Sequence, residues 1–486
     1  SACQLLLDGF IYEGVISESS TRVEMMGICA QSDTREQSGL ARQIICGIIV
    51  SIISLNSGLN QGWLSPMSLK LKTDDSPVEK MSKEELSYLA AFPLYSAFIV
   101  TPFVSYVGIR YGRKTGFYVI LVPHIASGLI LTFAPSKVWL YVGRILGGFR
   151  VTAINMAEMY ISETAHKSIR GMLIAICPVQ INIGILISYT LGKILNYKAY
   201  NSLLAIIPFV CGLLLFWVPE TPHFLMEKDR EEDAKKAMLW LKNGDYGVAD
   251  LEMMEIERPK NCRPENLSIK QLWNDKPSKA AMLVGVFSFS LQTLSGIHSV
   301  TNYAGIIYEE SSSFLSPDDS SIVTAVILLV ASVINVILID RFGRKPLLYV
   351  SYTGTAISLS VLSAFLFALL KGVDVGHLTF LPVVSISAFA FLYGIGQAAV
   401  PGALTSEMSP TNIRPAMSGA VSVVSVAITI AVLQSFPYLD ELVGLYFVFV
   451  ISIFFNVLGV FFTWFMVPET KGKSLTQISN ELRAII

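Results

Sequence analysis

Three charged signatures in this chain have the residue types and spacing to make and break ion pairs, and each occurs twice. Arg110-Tyr-Gly-Arg113-Lys114 returns as Arg341-Phe-Gly-Arg344-Lys345, Glu163 followed by Arg170 returns as Glu407 followed by Arg414, and Pro219-Glu220-Thr221 returns as Pro468-Glu469-Thr470. Guanidinium–carboxylate forks are directional, and they are strongest where water is partly excluded. The signatures keep their order, so the chain reads as two collinear copies whose loops have drifted. The chemistry expected of them is non-covalent. No P-loop, G-x-S-x-G or HExxH pattern is present, and an enzyme is not expected.

A second polar constellation interrupts an apolar run: Gln292-Thr-Leu-Ser-Gly-Ile-His298-Ser-Val-Thr-Asn302-Tyr303. On one continuous helix, positions 292, 295, 299 and 302 share a face, so Gln292 and Asn302 would point the same way. Polar groups surrounded by lipid are costly, which makes solute binding the reading to test, against helix–helix hydrogen bonding. Asn60, Gln180 and Asn182 are further neutral groups within apolar runs, while Arg150 and Glu158 are charges whose partners the sequence does not identify.

These groups must be carried by membrane helices. Hydrophobic residues make up 52% of the 486 and charged residues only 15%, well below the roughly 25% of a soluble domain. The net charge of −1 gives no basic face for nucleic acid. The six cysteines form no CxxC, so neither a disulfide framework nor a metal site is implied, and no cofactor is expected. A spanning helix needs about 20 apolar residues. Such runs predict spans 1 to 6 near 43–63, 87–108, 115–134, 138–160, 171–193 and 201–218. Spans 7 to 12 follow near 281–307, 321–339, 346–370, 378–404, 416–435 and 442–467. The expected fold is an all-α membrane protein of twelve transmembrane helices in two pseudo-symmetric six-helix bundles.

The expected divisions are a tail over 1–41, a first bundle over 42–218, a linker with short amphipathic helices over 219–280, a second bundle over 281–467 and a tail over 468–486. The first forty residues lack a positive segment followed by an apolar core, so a cleavable signal peptide is not expected. Arg110, Arg113, Lys114 and Arg341, Arg344, Lys345 fill two short loops, whereas Glu309, Glu310, Asp318, Asp319, Asp440 and Glu441 lie on the opposite side. The positive-inside rule then places both termini and the linker in the cytosol. Duplicated halves that rock about a midplane site are the usual design of a transporter.

The 6+6 layout, with RxGRK loops, Glu-x6-Arg pairs and Pro-Glu-Thr endings, resembles the sugar-porter family of the major facilitator superfamily over about 42 to 475. GLNQGW at 58–63, NIGIL at 182–186 and PETPHFL at 219–225 are similar to insect trehalose and glucose facilitators. The resemblance implies a facilitative uniporter in the plasma membrane, working by alternating access on trehalose or a hexose. The alternatives are a proton-coupled symporter and a nontransporting sensor or scaffold. It implies substrate contacts from Gln292, His298, Asn302, Tyr303, Asn60, Gln180 and Asn182. It also implies a cytosolic gate of Arg113, Glu163, Arg170, Glu220, Arg344, Glu407, Arg414 and Glu469, with Glu163 near Arg113 and Glu407 near Arg344. Proton-coupled members carry Asp at the place of Asn60, so passive transport is expected. The chain departs from the family at Ile109, His223 and Gly402, the last replacing a Trp that would floor a sugar ring. The first gate is therefore expected to be weaker than the second.

Overall fold

A computed structural model describes residues 39–72, 76–247, 249–250, 253, 276–408, 414–471, 473, 477–478 and 480–481. The tail up to residue 38 and linker residues 254–275 lie outside it. The chain is an all-α membrane protein with the twelve spans expected, of which eleven are helices long and apolar enough to cross a bilayer. Span 4 is the exception. It runs as Lys137–Leu146, a 3-10 turn at Gly147–Phe149, and Arg150–Thr164. Two adjacent glycines lower helix propensity there, and Arg144, Arg150 and Glu158 dilute its apolar character.

Local signals set the other ends. Span 2 (Lys83–Tyr111) opens with a capping box in which the Ser82 hydroxyl accepts from Glu85 N–H and the Glu85 carboxylate accepts from Ser82 N–H. Span 6 (Tyr197–Leu214) is capped by Asn196, and span 8 (Pro317–Phe342) by Ser316 with Pro317 in the first turn. The RxGRK signatures explain a sharper feature. Span 2 gives way to span 3 (Arg113–Thr132) across the single residue Gly112, and span 8 to span 9 (Arg344–Leu370) across Gly343. Their φ values are +117° and +89°, a region in which any β-carbon is strained. The repeated glycine lets two helices abut with no loop between them.

Spans 7 and 10 are broken midway. Span 7 comprises Lys276–Gln292, a π-helical turn at Thr293–Ile297 and His298–Glu310; Gly296 takes φ +103° at the kink. Span 10 comprises Leu381–Ile395 and Val400–Met408, parted at Gly396. Span 1 (Leu40–Gly62) continues past Trp63 as Leu64–Lys72, span 5 is Lys167–Ile194, span 11 Arg414–Val443 and span 12 Leu445–Met466.

The described residues form two compact units, one within 39–48, 159–174 and 218–253 and the other the remainder. In the smaller unit the expected linker helices are Pro222–Glu227 and Glu231–Leu241, and their buried Phe224, Leu225, Ala234, Ala237 and Met238 form one apolar cluster. Arg42 donates to Trp240 O at 2.9 Å and lies over its ring, while His166 N–H donates to Gln43 Oε1 at 2.7 Å. In the larger unit one extended core unites residues of both halves, from Leu59 and Trp63 to Tyr303, Phe389 and Phe449.

Candidate functional site

The kink of span 7 organises the central polar groups. A π-turn frees carbonyls from the helical ladder, and buried carbonyls need partners. Asn456 Nδ2 of span 12 donates to Ser295 O at 3.0 Å, and its Oδ1 accepts from Thr355 Oγ1 at 2.8 Å and Gln397 Nε2 at 3.2 Å. Sequence reading missed this buried trio, although Asn456 stands out as the lone amide in the run Ser-Ile-Phe-Phe-Asn-Val-Leu. Thr293 Oγ1 meets Ser425 Oγ of span 11 at 3.1 Å.

The kink also separates residues that a continuous helix would align. Gln292 ends the first segment, half-buried, and donates to Tyr393 Oη at 3.1 Å and Ala398 O at 3.5 Å. Asn302 lies beyond the kink, buried, and its Nδ2 returns to His298 O of its own helix at 2.9 Å. The face shared by 292 and 302 therefore does not carry across Gly296. Tyr303 is buried, stacks on Phe436 at 4.4 Å and donates to Leu433 O at 2.9 Å, joining span 7 to span 11. His298, Gln180 and Asn182 are half-buried, and none of these three side chains hydrogen-bonds a described residue.

Asn60 is buried against span 4, and its Oδ1 has no hydrogen-bond partner among the described residues. Its carbonyl accepts from Arg144 Nη1 at 3.1 Å, while Arg144 Nε donates to Leu89 O at 2.9 Å and the guanidinium lies 4.8 Å from the Trp63 ring centroid. Trp63 is itself fixed by Nε1 donating to Asn201 Oδ1 at 2.6 Å. The Arg144 cation is thus held by two main-chain carbonyls and a π face. Arg150 follows the 3-10 turn and is only 9% exposed.

The repeated signatures fold alike in both halves. Arg113 Nη1 donates to Gly108 O at 3.2 Å and Arg344 Nη1 to Ile339 O at 3.1 Å; Lys114 caps Phe216 O and Lys345 caps Trp464 O at the ends of spans 6 and 12. Lysine at a helix C-terminus meets both the free carbonyls and the dipole. Glu407 takes a fork from Arg344 Nε and Nη2 at 3.1 and 2.7 Å, as expected, and a hydrogen bond from Thr470. Glu163 likewise accepts from Thr221 Oγ1 at 2.6 Å, and Glu220 accepts from Thr221 N–H. The threonines of the Pro-Glu-Thr endings, which sequence reading passed over, are the direct partners of both acids. Arg170 donates to Ala165 O at 3.3 Å, and the side chain of Arg414 lies outside the described residues.

Glu469 caps span 9 from a distance in sequence, accepting from Arg344 N–H and Lys345 N–H at 3.1 Å each. Burial opposes its charge, but these donors and those of Lys471 and Thr470 outweigh it and hold the carboxyl below its ordinary range. The described C-terminal forks thus tie spans 8, 9 and 10 and the segment after span 12 within one half.

A set of polar contacts between the halves lies at the opposite end, where the acidic loops are. Lys83 of span 2 meets Glu310 of span 7 at 2.7 Å and Asp440 of span 11 at 2.6 Å. Lys72 meets Glu309 at 3.5 Å, and Lys193 of span 5 meets Asp319 of span 8 at 2.5 Å. Tyr438 Oη donates to Glu84 at 2.8 Å, Tyr95 Oη to Gln434 at 2.8 Å and Tyr189 Oη to Thr301 O at 2.6 Å. Spans 1, 2 and 5 are so latched to spans 7, 8 and 11.

A duplicated twelve-span bundle with broken spans 7 and 10 and helix-abutting RxGRK turns defines a membrane carrier of the major facilitator fold. The chain belongs to the family of sugar (and other) transporters, whose model matches residues 46–482. It is 28% identical over 450 residues to the facilitated trehalose transporter Tret1-2 homolog of Drosophila simulans, covering 90% of this chain and 91% of that one. It is 27% identical over 456 residues to the facilitated trehalose transporter Tret1 of Bombyx mori, covering 92% and 88%. Among solved structures, the inward open conformation of the xylose transporter XylE from E. coli matches with a TM-score of 0.73 at 23% identity, over 90% of this chain and 98% of that one. That likeness supports the shared fold.

Proposed function

We propose that the chain is a facilitative carrier of a sugar of one or two rings, the class that its relatives' names carry, working by alternating access. The observation that carries this reading is the latch: Lys83 bridging Glu310 and Asp440 joins the two halves at the acidic end by polar contacts that can be remade. Neutral Asn60 supports passive transport, because coupling to protons needs a group that titrates during the cycle. The acidic end is assigned to the outside, which puts both termini and the linker in the cytosol, and the plasma membrane is the expected site. In this assignment the described conformation is closed to the outside. The residue divisions 1–41, 42–218, 219–280, 281–467 and 468–486 remain the working domain scheme. The test is substrate counterflow in proteoliposomes without a proton gradient. Exchange should survive a protonophore; uptake that collapses when the protonophore is added would exclude uniport.

A further inference from the structure

We propose that Arg150 is an anion-binding element of the substrate site, and that the preferred solute carries a carboxylate on a sugar-sized polyhydroxylated frame. The inference rests on the transport reading above and narrows its substrate class. Arg150 lies within span 4, and its guanidinium makes no hydrogen bond or ion pair with any described residue. Its Nε is buried without a partner. A permanent cation at membrane depth is expensive, and chains that keep one pair it. Among the described residues, the groups electrostatically coupled to it are His124 of span 3, Arg144 of span 4 and His298 of span 7, and none of them is an anion. Glu158, on the same span, instead interacts with Cys177 of span 5.

Arg144 and Arg150 differ in a telling way. Arg144 has two carbonyl acceptors, of Leu89 and Asn60, and the Trp63 ring, with only its Nη2 unpaired, whereas Arg150 has no acceptor among the described residues. Among the described residues no anion balances Arg150, and a bound solute would supply one. A guanidinium fork matches a carboxylate in shape and charge. The side chains of half-buried His298, Gln180 and Asn182 make no hydrogen bond with a described residue and suit hydroxyls. A neutral sugar would bring no anion to Arg150.

Counterflow in proteoliposomes of the full chain, at fixed chloride, compares radiolabelled glucuronate with glucose and trehalose. Glucuronate should exchange with kcat/KM about tenfold or more above glucose, as expected for a charge-assisted fork. Arg150→Gln should remove that preference, and Arg150→Lys should retain part of it. Monodispersity and ligand-free thermal unfolding check the fold of each variant. A thermal shift of the wild-type chain by glucuronate, absent with chloride at equal concentration, supports the reading without any variant. Exchange of glucose or trehalose but not glucuronate overturns the inference and leaves the sugar-carrier reading intact. Glucuronate exchange unchanged in Arg150→Gln, or an equal thermal shift from chloride, overturns it as well. Exchange of none of the three sinks both readings.

Discussion

Single side chains in the middle of this carrier are held by partners chosen for flexibility of exchange. Gln292 donates to a tyrosine hydroxyl and a main-chain carbonyl, both neutral, so a solute hydroxyl can replace either at small cost. Gln292→Ala is expected to weaken apparent substrate affinity by about 1–3 kcal/mol, read as a raised KM in counterflow, with expression near normal. Tyr393→Phe removes only the partner that aims the amide, so a smaller rise in KM is expected. Unchanged KM in both variants would remove Gln292 from the site. Asn302 differs: its amide is returned to its own helix, and its replacement by Ala should act less on affinity than that of Gln292.

At the scale of elements, span 7 depends on a conformation that only glycine takes readily. A β-carbon at Gly296 would sit 3.0 Å from Ser452 Oγ at φ +103°. Gly296→Ala should destabilise the fold by about 1–2 kcal/mol, measured as thermal unfolding in detergent, and a Ser452→Ala partner should recover little because the backbone strain persists. The start of span 9 makes a second, pH-dependent case. The carboxyl of Glu469 lies below its ordinary range in the folded chain, so its contribution is present above the unfolded value, about 4.3, and is lost as pH falls through the folded one. Glu469→Gln should lower stability near neutrality, by about 1 kcal/mol at most for a part-exposed cap, and the gap to wild type should close on acidification. A gap that is constant between pH 6 and 3 would rule out the carboxylate as its source.

For the molecule as a whole, the latch at the acidic end sets which conformations are populated. Lys83 neutralises two carboxylates, and the Asp440 side chain is only 6% exposed. Lys83→Met would leave both acids facing each other, and like charges repel. The equilibrium should shift toward opening at that end by on the order of 1–2 kcal/mol, the limit being the difference in contacts between the two states. Gln434→Cys, behind Tyr95 in the same interface, should react several-fold faster with a thiol reagent in the Lys83→Met background. Equal rates would show that the apolar contacts of spans 2 and 11 hold the end closed by themselves.

The duplication, the twelve spans and the family were legible in the sequence because they rest on local properties: apolar length, repeated charge signatures and glycine placed at the same point of each repeat. The Glu407–Arg344 fork was legible for the same reason, since matching acids and bases recur in register. Span 4 was expected as one helix, because averaging hydropathy over a window hides a two-glycine break. Periodicity likewise aligned Gln292 with Asn302, and the π-turn undid that alignment because helical register is lost wherever the ladder gains a residue. The roles of Asn456, Thr221 and Thr470, the lysine latch between halves and an Arg150 without a partner among the described residues depend on which distant helices meet. Pairing a side chain with a partner hundreds of residues away is decided by packing, and only the tertiary structure contains it.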